Sequence, residues 1–281
     1  MRSGFSFTLL CLVCLFAGRP ATAATRDTHT FTIATANLSD NTSQAYEGPG
    51  MRILKALKPD IVGIQEFTYK VGTPQDFVRH TFGPDFYFWR EKDAPLPNGI
   101  ISRYPILASG QWEDPFVSNR DFAWATLAIP GPKRLHVVSV HLVQNRTNRR
   151  IPESRHLVER IAAHFPTNDY VVLCGDFNIS SRQAPVMDEL AGLFADDHHP
   201  ADQHGNPNTN TKRIRPYDFV LPNYALAPYH IPTRLATEVF PHGLVFDSRL
   251  WDPVPPPAER EDSGRNMQHM PVMKTYRIPV Y

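Results

Sequence analysis

Polar side chains follow several short apolar segments of this sequence, and strand ends are where rigid domains commonly carry their chemistry. Asp176 and Asn178 follow the apolar run Tyr170–Cys174 and lie two positions apart. Residues two apart in an extended chain point to the same face, so a carboxylate and an amide would project together. The polar residues in comparable positions elsewhere are Asn37, Glu66, His141, Asp218 and His269.

These residue types are suited to the hydrolysis of phosphoesters. Amide and carboxylate oxygens are ligands that Mg²⁺ and Mn²⁺ prefer, and histidines transfer protons near neutral pH. A bound cation offsets charge on the phosphoryl oxygens, while one group activates water and another protonates or stabilises the leaving oxygen. Each residue alone also has a structural explanation, since Asp and Asn close turns and a lone histidine is commonly structural. Their recurrence at strand ends favours a catalytic site.

The segments between these residues predict a domain of short strands and few helices. Apolar runs rich in β-branched residues and bounded by turn residues are typical of buried strands. Strands are predicted at 28–36, 61–64, 86–89, 98–103, 106–112, 122–129, 135–140, 170–174, 217–221 and within 267–278. Helices are predicted at 51–57, 75–80, 186–194 and within 152–165. The mixture of hairpins and strand–helix units predicts a mixed α/β domain.

The N-terminal segment has the pattern of a secretory signal peptide. Arg2 precedes an apolar stretch at 5–17, and Ala21 and Ala23 form an A-x-A cleavage site. We therefore predict a signal peptide at residues 1–23, a single domain at 24–281, and a secreted or periplasmic location. An uncleaved anchor is the alternative, but the stretch is short for a membrane span, and we expect no stable membrane insertion.

Composition limits the partners and the stabilising chemistry of the mature chain. Cys174 is the only cysteine after residue 23, so no internal disulfide can form and the core must be large enough without one. The formal charge of +1 becomes −1 without Arg2 and Arg19, because residues 1–23 contain no Asp or Glu. The chain has no overall basic charge of the kind that would indicate a nucleic-acid partner. We expect the domain to be a monomer.

The ordered set of motifs resembles the endonuclease/exonuclease/phosphatase superfamily, the deoxyribonuclease-I-like fold. The motifs that carry the resemblance are TANL with Asn37, PDIVGIQE with Glu66, NGIISRYPI, VVSVHL with His141, GDFN with Asp176 and Asn178, PYDFV with Asp218, and QHMPV with His269. They extend over residues 30–280, which is almost the whole predicted domain. The resemblance implies a four-layer α/β sandwich in which two mixed sheets pack face to face with helices outside.

The resemblance also implies roles for these residues. Asn37 and Glu66 would bind the divalent cation, Mg²⁺ or Mn²⁺. Asp176 would bind or orient the attacking water, and Asn178 would contact the scissile phosphate. The remaining three residues would surround that phosphate: His141 and His269 as proton-transfer and charge-stabilising groups, and Asp218 as the group that orients a histidine or acts on the phosphate side.

One position departs from the family pattern. The family usually ends with Ser-Asp-His, whereas this chain has Met267, Gln268 and His269. Gln268 can contribute its amide oxygen but carries no charge, so it would raise the pKa of His269 less than a carboxylate would. We include Gln268 among the predicted metal-site residues, and Asp262 is an upstream candidate for the missing carboxylate.

The substrate is less constrained than the reaction. Two basic clusters adjoin the predicted site residues and could follow a phosphate backbone, or could be solvated surface. They comprise Arg146, Arg149, Arg150, Arg155 and Arg160, and Lys212, Arg213 and Arg215. We therefore predict a secreted metal-dependent phosphodiesterase, a nuclease acting on DNA or RNA.

Two alternatives remain open from the sequence. The first is an enzyme for lipid or small phosphoesters, for which residues 244–251 are the best candidate for a membrane-contacting segment. The second is a catalytically silent binding protein on the same fold, which the glutamine at position 268 suggests.

Overall fold

The computed structural model describes residue 1 and residues 27–38, 48–144, 146–264 and 267–281. The predicted signal peptide, residues 1–23, lies outside the described residues except for Met1. No helix in the described part of the chain is both long enough and apolar enough to cross a bilayer.

The described residues form short strands connected by four α-helices and long loops. The strands are β1 (Thr28–Asn37), β2 (Ile61–Gln65), β3 (Tyr87–Arg90), β4 (Gly99–Ser102), β5 (Ile106–Trp112), β6 (Phe122–Leu127), β7 (Leu135–His141), β8 (Tyr170–Asp176), β9 (Asp218–Pro222), β10 (His230–Ile231), β11 (Thr233–Leu235), β12 (Glu238–Phe240), β13 (Leu244–Val245) and β14 (Val272–Pro279). The helices are α1 (Pro49–Leu57), α2 (Pro74–Phe82), α3 (Thr147–His164) and α4 (Pro185–Leu190).

Two mixed sheets make up the centre of the molecule. The seven-stranded sheet has the order β10-β14-β1-β2-β4-β3, with β13 also paired to β14, and the five-stranded sheet has the order β5-β6-β7-β8-β9. Each sheet contains one parallel pair, β1 with β2 and β7 with β8. The two sheets pack face to face, and helices cover their outer faces, so the predicted four-layer α/β sandwich is confirmed.

Alternation along the central strands sorts side chains into two cores. In β7, Leu135 and Val137 pack between the sheets, whereas Val138 and Val140 pack toward α3 and α4. The same period of two continues through β8, where Val172 lies between the sheets. Every residue of both strands is buried. The strand ends are therefore fixed by apolar packing on both faces.

The structure refines one sequence prediction about local structure and overturns another. The helix predicted within 152–165 is present as α3, but it begins earlier, at Thr147; Pro152 lies inside it, so the helix continues with one backbone hydrogen bond missing. The segment 244–251, proposed as a membrane-contacting segment, is core: Leu244, Phe246 and Trp251 are at most 4% exposed.

Candidate active site

In the five-stranded sheet, β7 and β8 end with a polar residue and β9 begins with one, and these three residues lie side by side. The register pairs His141 of β7 with Asp176 of β8, and Asp176 with Asp218 of β9. All three side chains lie on the strand faces that pack against the other sheet, because Val137, Val172 and Val220 on the same faces belong to the core between the sheets. The apolar runs of these strands thus end in one row of titratable side chains.

The seven-stranded sheet brings two further residues to the same place. Asn37 ends β1 and Glu66 follows β2, and the Asn37 Nδ2 lies 3.5 Å from Glu66 Oε1 and 3.3 Å from Asp176 Oδ2. Glu66 has a positive φ of 54°, a conformation that is costly for a residue with a side chain and that clusters at functional sites. The site therefore lies where the ends of strands from both sheets meet.

His141 lies between two carboxylates in this group. Its Nε2 is 3.3 Å from Asp176 Oδ2, and its Nδ1 is 3.9 Å from Glu66 Oε1. Burial lowers the pKa of His141 well below its ordinary value, and the positive charges of Arg120 and His269 act in the same direction. A neutral imidazole results, and a neutral imidazole can accept a proton.

His269 has the opposite charge state because of its partner. Its Nδ1 is 2.9 Å from Asp218 Oδ2, and its Nε2 is 3.7 Å from Asp176 Oδ2. Burial opposes a charge on the ring, but the carboxylates of Asp218 and Asp176 outweigh it and raise the pKa of His269 to about 9. The hydroxyl of Thr209 donates to Asp218 Oδ2 at 2.6 Å and fixes that carboxylate.

Asp176 is the centre of the group and Asn178 closes the turn after it. The backbone N–H of Asn178 donates to Asp176 Oδ1 at 2.8 Å, and Asn178 has a positive φ of 51° that asparagine tolerates. Burial raises the pKa of Asp176, although the positive charges of His269 and Arg120 partly oppose the shift. The amide of Asn178 donates to the carbonyl of Leu142 at 2.9 Å.

Two buried side chains that the sequence analysis missed fix the turn after β7. Arg120 donates to the carbonyls of His141 and Leu142, and both carboxylate oxygens of Glu153 accept the N–H of Val143, at 2.9 and 3.0 Å. Arg120 precedes a predicted strand by two residues, and that position is the only local signal for it. Glu153 gave no signal, because Pro152 predicted the start of a helix instead of its interior.

The donors fit a hard divalent cation on the side of Asn37 and Glu66. The carboxylates of Glu66 and Asp176 both face the amide nitrogen of Asn37, and Asn37 would present its oxygen instead after a half-turn of its amide. The ligand atoms of Asp176, Asp218 and His269 also lie within 4.8 Å of one another. His269 is committed to Asp218 by a hydrogen bond and favours its protonated form, which disfavours it as a metal ligand.

Gln268 and Asp262 were the two residues considered in place of the carboxylate that the family pattern has before the histidine. The backbone carbonyl of Gln268 accepts from the N–H and the hydroxyl of Thr211, at 2.8 and 2.9 Å, and the side chain is half-buried. Its predicted role as a metal ligand stays a prediction. Asp262 does not supply the missing carboxylate to the histidine: its carboxylate bonds Arg52.

The two basic clusters separate into paired and available residues. Arg213 bonds Asp202 and Asp247 at 2.7 Å each, and Arg155 bonds Glu189 at 2.7 Å, so neither is positioned to follow a phosphate backbone. Arg146 and Arg149 form no ion pair among the described residues, and they line, together with the structural Arg120, a groove of about 540 Å³ beside the turn after β7.

Comparison with known proteins identifies the family of this arrangement. A sequence profile of the Endonuclease/Exonuclease/phosphatase family matches residues 51–258. No curated protein sequence matches the chain significantly.

Solved structures with the same fold include proteins with different substrates. The endonuclease/exonuclease/phosphatase from Bacteroides vulgatus aligns with a TM-score of 0.63 at 16% identity, over 89% of this chain and 99% of that one. D. rerio TDP2 complexed with a single-strand DNA product aligns with a TM-score of 0.59 at 16% identity, over 88% and 98%. Sphingomyelinase C from Streptomyces griseocarneus aligns with a TM-score of 0.58 at 16% identity, over 88% and 99%.

Proposed function

Because the chain belongs to the endonuclease/exonuclease/phosphatase family, we propose that it is a Mg²⁺-dependent phosphodiesterase that hydrolyses nucleic acid outside the cytoplasm. The observation that carries the proposal is the convergence of His141, Asp176 and His269 within 3.7 Å contacts at the ends of strands from both sheets. A neutral and a protonated histidine on either side of one carboxylate is the arrangement that acid–base hydrolysis requires.

The charge states of the histidines suggest how the proton moves. In this proposal Asp176 orients a water molecule, and neutral His141 accepts its proton as the oxygen attacks phosphorus. Protonated His269, held by Asp218, donates to the leaving oxygen or stabilises its charge. A cation held by Asn37 and Glu66 would offset charge on the phosphoryl oxygens.

Nucleic acid is favoured as the substrate by the surface next to the site. A polymer needs contacts to phosphates beyond the scissile one, and the groove with Arg120, Arg146 and Arg149 offers positive charge there. A lipid substrate needs an apolar surface that reaches the bilayer, and the segment 244–251 that was the candidate for it is buried. The export of the enzyme rests on the predicted signal peptide at residues 1–23.

The proposal is tested with the purified chain from Ala24 onward. Hydrolysis of bis(p-nitrophenyl) phosphate is measured with Mg²⁺, with Mn²⁺ and with EDTA, beside the Asp176→Asn variant. We expect turnover that needs a divalent cation and that the variant lacks. Single-stranded DNA, double-stranded DNA, RNA and sphingomyelin vesicles then identify the natural class, and we expect cleavage of nucleic acid.

Two results would overturn this function. Turnover of sphingomyelin with inert nucleic acids would replace the nuclease by a lipid phosphodiesterase. Absence of turnover on every phosphoester with either metal would favour the silent binding protein. Fractionation of cells that express the full-length chain tests export, which a cytoplasmic product with an intact N-terminus would contradict.

A further inference from the structure

A buried arginine next to the site has no partner among the residues that the structure describes. Arg150 is 6% exposed, its Nη1 is fully buried, and neither a hydrogen bond nor an ion pair from its side chain to a described residue is present. A buried charge without a partner is strongly unfavourable, and buried donors in native proteins are almost always paired. The position therefore calls for an anion that the chain itself does not supply.

The carboxylate one turn further along the same helix does not fill this role. Both oxygens of Glu153 already accept the N–H of Val143. Burial raises the pKa of Glu153, and the neighbouring Asp114 carboxyl raises it further, so this pair retains a proton at neutral pH. The pair therefore keeps a single negative charge at most, and neither carboxyl forms an ion pair with Arg150 among the described residues.

The start of helix α3 adds a second unfavourable arrangement that an anion would relieve. The first turn contains no acidic side chain, and its N-cap, Arg146, makes no side-chain capping bond. Arg149 and Arg150 both lie in that turn, at the positive end of the helix dipole, where cations are destabilising. Backbone N–H groups at a helix start bind phosphate in many proteins.

The position of Arg150 relates it to the proposed chemistry. Arg150 lies one helical turn before Glu153, which holds the N–H of Val143, two residues after His141. Burial lowers the pKa of Arg150, and the charges of Glu153 and Asp176 oppose that shift. Arg120 is buried to a similar degree, 7% exposed, but donates to the carbonyls of His141 and Leu142. Arg120 therefore has a structural role that Arg150 lacks.

We propose that Arg150 is a phosphate-binding residue of the active site, whose guanidinium donates to a non-bridging oxygen of the substrate phosphodiester at the N-terminus of α3. This inference rests on the proposed function for the identity of the anion. It assigns to Arg150 a contact with substrate, and it explains why the chain retains a cation in a place that destabilises the folded protein.

The experiment compares Arg150→Gln and Arg150→Lys with Arg155→Gln. Arg155 is the matched control, because it lies on the same helix, is exposed and bonds only Glu189. Thermal unfolding is followed in EDTA with and without inorganic phosphate, and kcat and KM are measured on bis(p-nitrophenyl) phosphate with Mg²⁺.

We expect phosphate to raise the Tm of the unmodified protein and of Arg155→Gln but not that of Arg150→Gln. Without phosphate, Arg150→Gln should unfold at the same or a higher temperature, because an uncompensated charge has been removed. Its kcat/KM should fall by about 10²-fold, the loss typical of one charged donor to a reacting phosphate, and Arg150→Lys should recover part of it.

A lower Tm of Arg150→Gln with an unchanged phosphate effect and unchanged kcat/KM would overturn the inference, because the arginine would then be structural. If the unmodified enzyme hydrolyses phosphodiesters and Arg150→Gln does so equally well, the inference fails and the proposed function stands. If no phosphodiester is hydrolysed but phosphate raises Tm only when Arg150 is present, the anion site stands and the proposed function fails.

Discussion

Two groups of charged side chains built around buried aspartates differ in how completely those aspartates are neutralised. The first, which we call the paired cluster, consists of Asp202, Arg213, Asp247 and Arg249, joined by three ion pairs of 2.7 Å. The second is the candidate active site, where Nε2 of His141 and Nε2 of His269 lie 3.3 and 3.7 Å from Asp176 Oδ2. The longer contacts of the active site can be replaced by contacts to a ligand, whereas the short ion pairs of the paired cluster cannot.

The pKa of the central aspartate is shifted in opposite directions in the two groups. Burial raises the pKa of both carboxyls, but the bonds from Arg249 and Arg213 reverse the shift at Asp247 and lower its pKa. At Asp176 burial prevails and the pKa is raised. The fold is thus stabilised by the charge on Asp247 and destabilised by the charge on Asp176, as is common when a residue is retained for function.

The paired cluster supports the site from a distance. Arg213 donates through Nε to the carbonyl of Asn208 at 2.7 Å, and the next residue, Thr209, holds the carboxylate of Asp218. The buried ion pairs therefore fix the loop that orients Asp218 toward His269. The stability of the paired cluster thus helps to define the geometry of the active site.

Replacing Asp176 and Asp247 by asparagine, one at a time, should give the largest difference between the two groups. Asp176→Asn should lower the rate of phosphodiester hydrolysis by about 10³-fold or more, because water loses its orienting carboxylate. Its free energy of unfolding in EDTA should equal or exceed that of the parent. Asp247→Asn should retain the rate per folded molecule and lose about 1–3 kcal/mol of stability. Rates and urea unfolding curves measure both.

The sign of the pH dependence follows from the same shifts. Because the pKa of Asp247 is lower in the folded state, its contribution is present above the unfolded value of 3.8 and is lost as pH falls through the folded value. Asp176 behaves oppositely, and its variant should gain most over the parent above its folded pKa. Equal stability losses in both variants would contradict the distinction between the groups.

Removal of the central arginine should test how much the paired cluster contributes. Arg213→Met leaves Asp202 without its guanidinium and Asp247 with Arg249 alone, and it should cost about 3–5 kcal/mol of unfolding free energy. Arg215→Met, two residues away and exposed, should cost less than about 0.5 kcal/mol. Chemical denaturation measures both. A small loss at Arg213 would mean that the ion pairs are offset by the cost of their burial.

Much of the fold and part of the site could be predicted from the sequence. Continuous apolar runs rich in β-branched residues predict β7 and β8, and the polar residues at their ends, His141 and Asp176, must lie beside each other once the strands pair in parallel. The resemblance to the family supplied the same set. Local sequence contains what these strands need, so their prediction required no long-range information.

The rest depended on contacts between distant segments. Thr209 and Arg120 belong to loops, and only the folded chain places them against Asp218 and the His141 carbonyl. Arg150 and Arg213 have similar neighbours in sequence, yet one is unpartnered among the described residues and the other is fully paired. No periodicity distinguishes them, because the distinction lies in which carboxylates the tertiary fold brings within reach.

A buried lysine outside both groups provides the smallest and most selective test of the comparison. Lys274 of β14 is 1% exposed, and burial lowers its pKa to about 8, although Asp196 and Asp197 oppose the shift. Between pH 8 and 10.5 the unfolded chain keeps a proton that the folded protein loses, so stability should rise with pH. Lys274→Met lacks this group, and at pH 7 it should exceed the parent by on the order of 2–3 kcal/mol.

The advantage of Lys274→Met should shrink as pH rises from 8 to 10.5, because the parent then folds with a neutral amine. Arg277→Met, on the same strand but exposed, serves as the control and should show no such dependence. Urea unfolding at closely spaced pH values measures the difference. A constant difference across this range would mean that Lys274 keeps its charge through a contact, and the lysine would then belong with the paired cluster rather than with the unneutralised charges of the site.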